Sequence, residues 1–193
     1  MPSTYTTRNG IELIATGEQS GTWGDTTNLN MQIIDRVLSG VGTIDLSGSG
    51  AAHTLTTTDG TLTDGMYKVL VLDGATEACT ITISPNDAQK LYFVYNNSGE
   101  SCVFTQGSGG NVTIANGDTK VIYADGAGAG AAISDFTADL AMSSVNITGG
   151  SVTGITDLAV ADGGTGASTV SGAQTNLQVD PAGTAVALAI ALG

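Results

Sequence analysis

Between residues 42 and 126 glycine, asparagine and aspartate turns break every apolar run within a few residues, which leaves room for short strands and none for long helices. The runs at 67–72, 79–84, 90–95, 101–105, 111–115 and 119–123 carry most of the β-branched and aromatic residues. Asp73-Gly74, Asn97-Ser98-Gly99, Gly109-Gly110, Asn116-Gly117 and Asp125-Gly126 separate or follow them. Weaker runs at 43–46 and 53–57 add one or two more strands. Strands at this spacing predict a two-layer domain over 42–126, a β-sandwich or jelly roll.

Residues 1–41 read differently. Leu29, Ile33 and Val37 recur every fourth position, Ile34 and Leu38 widen the stripe, and a helix follows, with Asp25 placed to cap its start and Gly40 its end. Trp23 stands just before it among small polar residues, placed either to staple the helix or to touch a partner. This region, through Trp23, Leu29, Ile33 and Val37, is the expected docking segment.

Past residue 126 the pattern changes again. The glycines and alanines of 126–132 bury nothing large, and read as a linker or as backbone packed at a symmetry axis. Val145, Ile147, Val152, Ile155, Leu158 and Val160 lie in short pieces broken by glycine, too brief to bury a face alone. Over 185–192 alanine alternates with Val186, Leu188, Ile190 and Leu192, which predicts a strand with no polar face, with Leu188 and Ile190 as contacts to other copies. Either another chain covers it or the protein continues past Gly193. Residues 127–193 are thus expected to form a linker and an extended, interwoven β shaft.

Composition favours self-association. Only 12% of the 193 residues are charged while 41% are hydrophobic, so little charged surface is available to cover an isolated fold. The net charge of −13 repels phosphate backbones and anionic headgroups, which argues against nucleic acid and membrane-surface partners. The most apolar segment is too short to span a bilayer, and the first eight residues contain no apolar run of the signal-peptide kind, so synthesis in a cytoplasm is expected.

Chemistry is sparse. The single histidine, His53, has no carboxylate beside it in the sequence, and no nucleophile-elbow or P-loop pattern occurs. Cys79 and Cys102 lie in apolar strand-like runs and read as small hydrophobes. With two cysteines and one histidine no standard zinc site can be assembled, and the acidic turn at 157–162 lacks an EF-hand pattern. No enzyme activity, catalytic residue, cofactor or metal is expected.

Two segments say more than composition. The run Gly17-Glu18-Gln19-Ser20-Gly21-Thr22-Trp23-Gly24-Asp25-Thr26-Thr27-Asn28, leading into the helix, resembles the N-terminal region of fibre and virion proteins from phages of aquatic bacteria. Ala159-Val160-Ala161-Asp162-Gly163-Gly164-Thr165-Gly166-Ala167-Ser168-Thr169, followed by Gly172-Ala173-Gln174-Thr175-Asn176-Leu177, resembles a motif recurring in phage tail-fibre shafts, with Gln174 where that motif usually has arginine. The stretches at 90–98, 112–117 and 121–126 resemble the β domain of the same proteins. The resemblance implies a homotrimeric, thread-like structural protein of a tailed-phage virion, a tail fibre engaged in host adsorption. Its partners would be copies of itself, other virion proteins, and a host surface glycan or a separate receptor-binding protein.

A head fibre, capsid decoration or connector is the alternative within that class. A carbohydrate-binding module is the alternative outside it, with Tyr92, Tyr95 and Tyr123 as candidate sugar-stacking residues.

Overall fold

One amide holds the N-terminal region together. Two-residue strands β1 (Thr4–Tyr5) and β2 (Glu12–Leu13) pair antiparallel ahead of helix α1 (Trp23–Ser39). From α1, Asn30 donates to the Glu12 carbonyl at 2.9 Å and accepts from the Glu12 N–H at 3.0 Å, clamping strand to helix in both directions. The computed structural model describes residues 2–138, 164–179 and 184–193, divided between two units, Met1–Ala141 and Met142–Gly193. The helix starts earlier than Asp25 predicts. Thr22 is the N-cap residue and makes no side-chain cap bond, so Asp25 lies inside the first turn, where its charge favours the positive end of the helix. The helix ends before Gly40 as its spacing indicates, with the Gly40 N–H bonded to the Arg36 carbonyl.

After α1 the chain is wound into coils. Strands β3 (Val41–Asp45), β5 (Val69–Asp73) and β7 (Lys90–Asn97) run parallel in one sheet, and β4 (Ala52–Thr56), β6 (Cys79–Ser84) and β8 (Cys102–Thr105) run parallel in another. In sequence order the chain changes sheet after every strand, so each strand lies beside the one two before it. A jelly roll is built from antiparallel Greek keys, so the predicted two layers are present with a different winding. Strand β9 (Val112–Ile114) turns back antiparallel to β8; β10 (Thr119–Ala124) and β11 (Ile133–Asp135) close the first sheet in the order β11-β10-β7-β5-β3.

Stacking brings equivalent positions into columns. Gly42, Leu70 and Val94 stand in register, as do Ile44, Leu72 and Asn96, and Cys79 lies beside Cys102, itself opposite Ile114. These columns, with Leu55, Ile81, Ile83, Phe104 and Ile122, form one core shared by both sheets. Each large apolar side chain sealed there contributes about 1.5–3 kcal/mol. Both cysteines are free and buried, and burial raises their thiol pKa values. Gly42 lacks a side chain because the Tyr67 ring fills its place: a Cβ would fall 2.2 Å from a ring carbon.

Two buried amides end the columns. Asn96 donates to the carbonyls of Glu100 and Ile114, both at 2.8 Å, and accepts from the Ser98 N–H and hydroxyl. Gln106 donates to the Ala88 carbonyl at 2.7 Å and accepts from the Gly126 N–H at 3.0 Å.

The boundary expected at residue 126 is moved. Segment 126–132 is no linker: its backbone packs on the 107–109 turn so closely that a Cβ on Gly107 would come within 2.9 Å of the Gly128 and Ala129 carbonyls. It delivers β11 to the sheet edge, where Lys120 meets Asp135 at 2.8 Å. Burial opposes the Asp135 charge, but hydrogen bonds from Lys120 and Thr137 and the Lys120 charge outweigh it and hold the carboxyl down at about 2.

In the second unit, helices α2 (Val170–Leu177) and α3 (Thr184–Leu192) replace part of the predicted β shaft. The strand predicted over 185–192 is α3. Its alternation lacked a polar face to enforce a two-residue period, while alanine and leucine are strong helix formers and no paired strand exists for it among the described residues. Val145, Ile147, Val152, Ile155, Leu158 and Val160 lie outside the described residues.

Asn96→Ala should orphan the Glu100 and Ile114 carbonyls and lower unfolding free energy by about 2 kcal/mol, read as an earlier urea midpoint with unchanged m-value. A midpoint equal to the parent's would show that the turn does not depend on the amide.

Candidate functional site

Alternation along β7 sends Lys90, Tyr92, Val94 and Asn96 inward and Leu91, Phe93, Tyr95 and Asn97 outward. Register then assembles rows across the outer face of the five-stranded sheet: Val41, Val69, Phe93 and Val121; Thr43, Val71, Tyr95 and Thr119; and Leu91 with Tyr123. None of these residues is charged. The acidic side chains come in the next row, where Asp45 and Asp73 stand level with Asn97. Phe136 stacks on Tyr123 with ring centroids 5.7 Å apart, and Lys68 Nζ lies 5.9 Å from the Phe93 ring centre.

Phe93, Tyr95 and Phe136 remain 42%, 40% and 54% exposed. At about 200 Å² per aromatic side chain, these three alone leave roughly 270 Å² of ring surface uncovered. Val41 and Leu91, 62% and 36% exposed, add apolar surface on the same face.

The residues predicted to mediate contacts are distributed unevenly. Trp23 is 61% exposed at the start of α1. Leu29 and Val37 are half-buried, and Ile33 is sealed inside its own chain, which removes it from any partner surface. Leu188 and Ile190 are exposed on α3. Of the three tyrosines considered for sugar stacking, Tyr92 is buried and donates its hydroxyl to the Gly65 carbonyl at 2.7 Å, whereas Tyr95 and Tyr123 are on the outer face. The shaft-like motif is self-contained between residues 164 and 177: the Asn176 amide donates to the Thr165 and Gly166 carbonyls, and the Thr169 hydroxyl accepts from the Gly172 N–H as the N-cap of α2.

Folding brings together one trio that the sequence separates. His53 Nδ1 is 3.3 Å from the Ser49 hydroxyl, and its Nε2 is 3.0 Å from Asp64 Oδ2. The ring is turned the opposite way from a hydrolytic triad, in which serine meets Nε2 and the carboxylate meets Nδ1. The other Asp64 oxygen accepts from the Thr56 and Gly65 N–H groups at 2.8 Å, so the trio ties the 3-10 turn Asp64–Met66 to β4. Among the described residues no group of three potential metal ligands gathers.

A second surface lies at the start of β7. The segment 6–11 leaves a cleft of about 570 Å³ walled by Thr6, Thr7, Arg8, Asn9, Asp87 and Gln89. A second space of about 180 Å³ shares Arg8, Asn9 and Gln89 with it and reaches Lys68 and Lys90. Three of the five cationic side chains of this acidic protein therefore wall these spaces. Lys90 is only 7% exposed, and among the described residues its ammonium makes one hydrogen bond, to the neutral Asn9 Oδ1 at 3.1 Å. Neither the Lys120–Asp135 ion pair nor the His53–Asp64 contact includes it. Burial lowers its ammonium to about 8.

No family model, curated protein or solved structure matches the chain.

Because the Lys90 pKa is depressed on folding, the folded state holds fewer protons than the unfolded chain between about pH 8 and 10.4, and stability attributable to this residue rises across that window. Lys90→Met should abolish that rise and raise stability at pH 7 by of the order of 2 kcal/mol. Urea titrations of both proteins at pH 7 and 10 measure the difference; equal pH slopes would show that Lys90 is not electrostatically strained.

Proposed function

We propose that the protein is a structural, non-enzymatic subunit of a tailed-phage virion, a tail fibre or fibre-attachment segment that works as a homotrimer in host adsorption. The observation that carries the reading is the pair of aromatic-rich rows on the outer face of the five-stranded sheet, bordered by Asp45 and Asp73. Copies of one chain with net charge −13 repel each other over most of their surface, and rows that contain no carboxylate are where they approach at least electrostatic cost. A stable interface covers about 800 Å² per partner, so the face is large enough to nucleate one and needs its rim to complete it.

The resemblance of residues 17–28 and 159–177 to phage fibre proteins supplies the virion context. Exposed Trp23 at the head of α1 is the proposed anchor to a neighbouring virion protein. Several weak host contacts per particle then add through effective concentration, which suits a fibre without a catalytic site.

Light scattering on the purified protein should give the mass of three chains, and Phe93→Asp, which places a charge at the centre of the apolar row, should give a folded single chain. A parent protein that stays monomeric at high concentration would overturn the trimer. A trimeric Phe93→Asp variant would move the interface elsewhere. Antibody against the protein should label intact tailed particles by electron microscopy, and label confined to unassembled material would remove the virion assignment.

A further inference from the structure

Lys90, only 7% exposed and bonded through its ammonium to one neutral partner among the described residues, lacks the anion that buried charge ordinarily requires. Replacing it with an apolar residue would relieve that cost, so the position is poorly explained by packing alone. Its surroundings supply a chemical reason. Arg8 spends its Nε N–H on the Gln89 side chain at 2.9 Å, while its terminal nitrogens make no hydrogen bond among the described residues. A free guanidinium fork and an ammonium with unused donors, at spaces that share Arg8 and Asn9, form the kind of pair that grips a carboxylate.

The rest of the wall selects what carries that carboxylate. Thr7, Asn9 and Gln89 offer hydroxyl and amide groups, and Asp87 offers an acceptor for hydroxyl donors while repelling a multiply charged anion such as phosphate. At about 570 Å³ the main cleft falls within the range of small-ligand sites. A hydroxyl-rich ring bearing one carboxylate matches both the charge and the polarity.

We infer that the cleft beside segment 6–11, together with the smaller space that adjoins it through Arg8, Asn9 and Gln89, binds an acidic saccharide of the uronic acid class, with Arg8 and, from the smaller space, Lys90 holding the carboxylate and Thr7, Asp87 and Gln89 meeting ring hydroxyls. The inference does not depend on the fibre reading: the site belongs to a single chain and its test reads sugar binding and not assembly, so its failure leaves the oligomer and virion tests untouched.

The test is calorimetric titration of the full chain with sodium glucuronate at low ionic strength and pH 7, with glucose and sodium acetate as comparison ligands. Saturable glucuronate binding is expected, with acetate weaker by roughly tenfold or more and glucose showing no saturation. Lys90→Met and Arg8→Gln should each weaken glucuronate binding by roughly tenfold, in proteins whose circular dichroism and melting show an intact fold. Absence of saturable glucuronate binding overturns the site. So does undiminished binding by folded Lys90→Met, which would place the sugar elsewhere. Acetate binding as tightly as glucuronate would reduce the cleft to a general anion trap and overturn the saccharide assignment.

Discussion

The alignment of one coil on the next is the constraint from which the rest of the first unit follows. When β5 settles on β3, and β7 on β5, every side chain acquires neighbours of the same facing above and below, and a slip of one residue would turn the whole inward column to solvent. The columns are narrow, so single residues decide whether the coils close. Gly42 is bare so that Tyr67 can lie over it, and the Arg36 guanidinium of α1 rests 4.5 Å from the centre of the same ring, linking helix to coil. Where the winding stops, polar backbone must be satisfied without another strand. Asn96 and Gln106 do this from inside, each serving two carbonyls or a carbonyl and an N–H that would otherwise be buried unpaired.

The same alignment produces the functional surfaces. Rows that are inward on one face of the sheet imply rows that are outward on the other, and the outward rows here contain valine, phenylalanine and tyrosine where a solvated sheet would carry charge. At the start of β7 the inward position is Lys90, an expensive choice at a place where every neighbouring inward residue is apolar or amide. The uncovered face and the buried cation are the two points at which the fold departs from what stability alone favours, and both functional proposals are built on such departures.

Strand positions were legible because local chemistry punctuates them. Glycine, asparagine and aspartate at turns and β-branched residues between them placed all eight runs from β3 to β10 within a few residues of their observed ends. The repeat was harder to see. Val41, Val69 and Phe93 occupy equivalent positions in successive coils, but the steps between them are 28 and 24 residues, and the stacked pieces Val-Gly-Thr-Ile-Asp, Val-Leu-Val-Leu-Asp and Phe-Val-Tyr-Asn-Asn share a facing pattern and few identities. Parallel stacking asks only that apolar and polar positions alternate in phase, so coils diverge freely while turns of different length absorb the difference. The helix over 184–192 was misread for a related reason: alternation without a polar face carries no period that can exclude a helix.

Of the sites, the lack of a spaced catalytic motif could be read from the chain, whereas the exposure of Trp23, the burial of Ile33, the meeting of His53 with Asp64 and the isolation of Lys90 could not. Composition, charge and turn chemistry by themselves determined that this protein is strand-rich, acidic and poor in ionic surface, because those properties are set residue by residue. Tertiary structure alone decided which strands became neighbours, that they pair in parallel coils, and which side chains share a row or a cleft. Pairing is a relation between residues far apart in sequence, and its free energy comes from shared burial and exchanged backbone hydrogen bonds, to which no single segment holds the key.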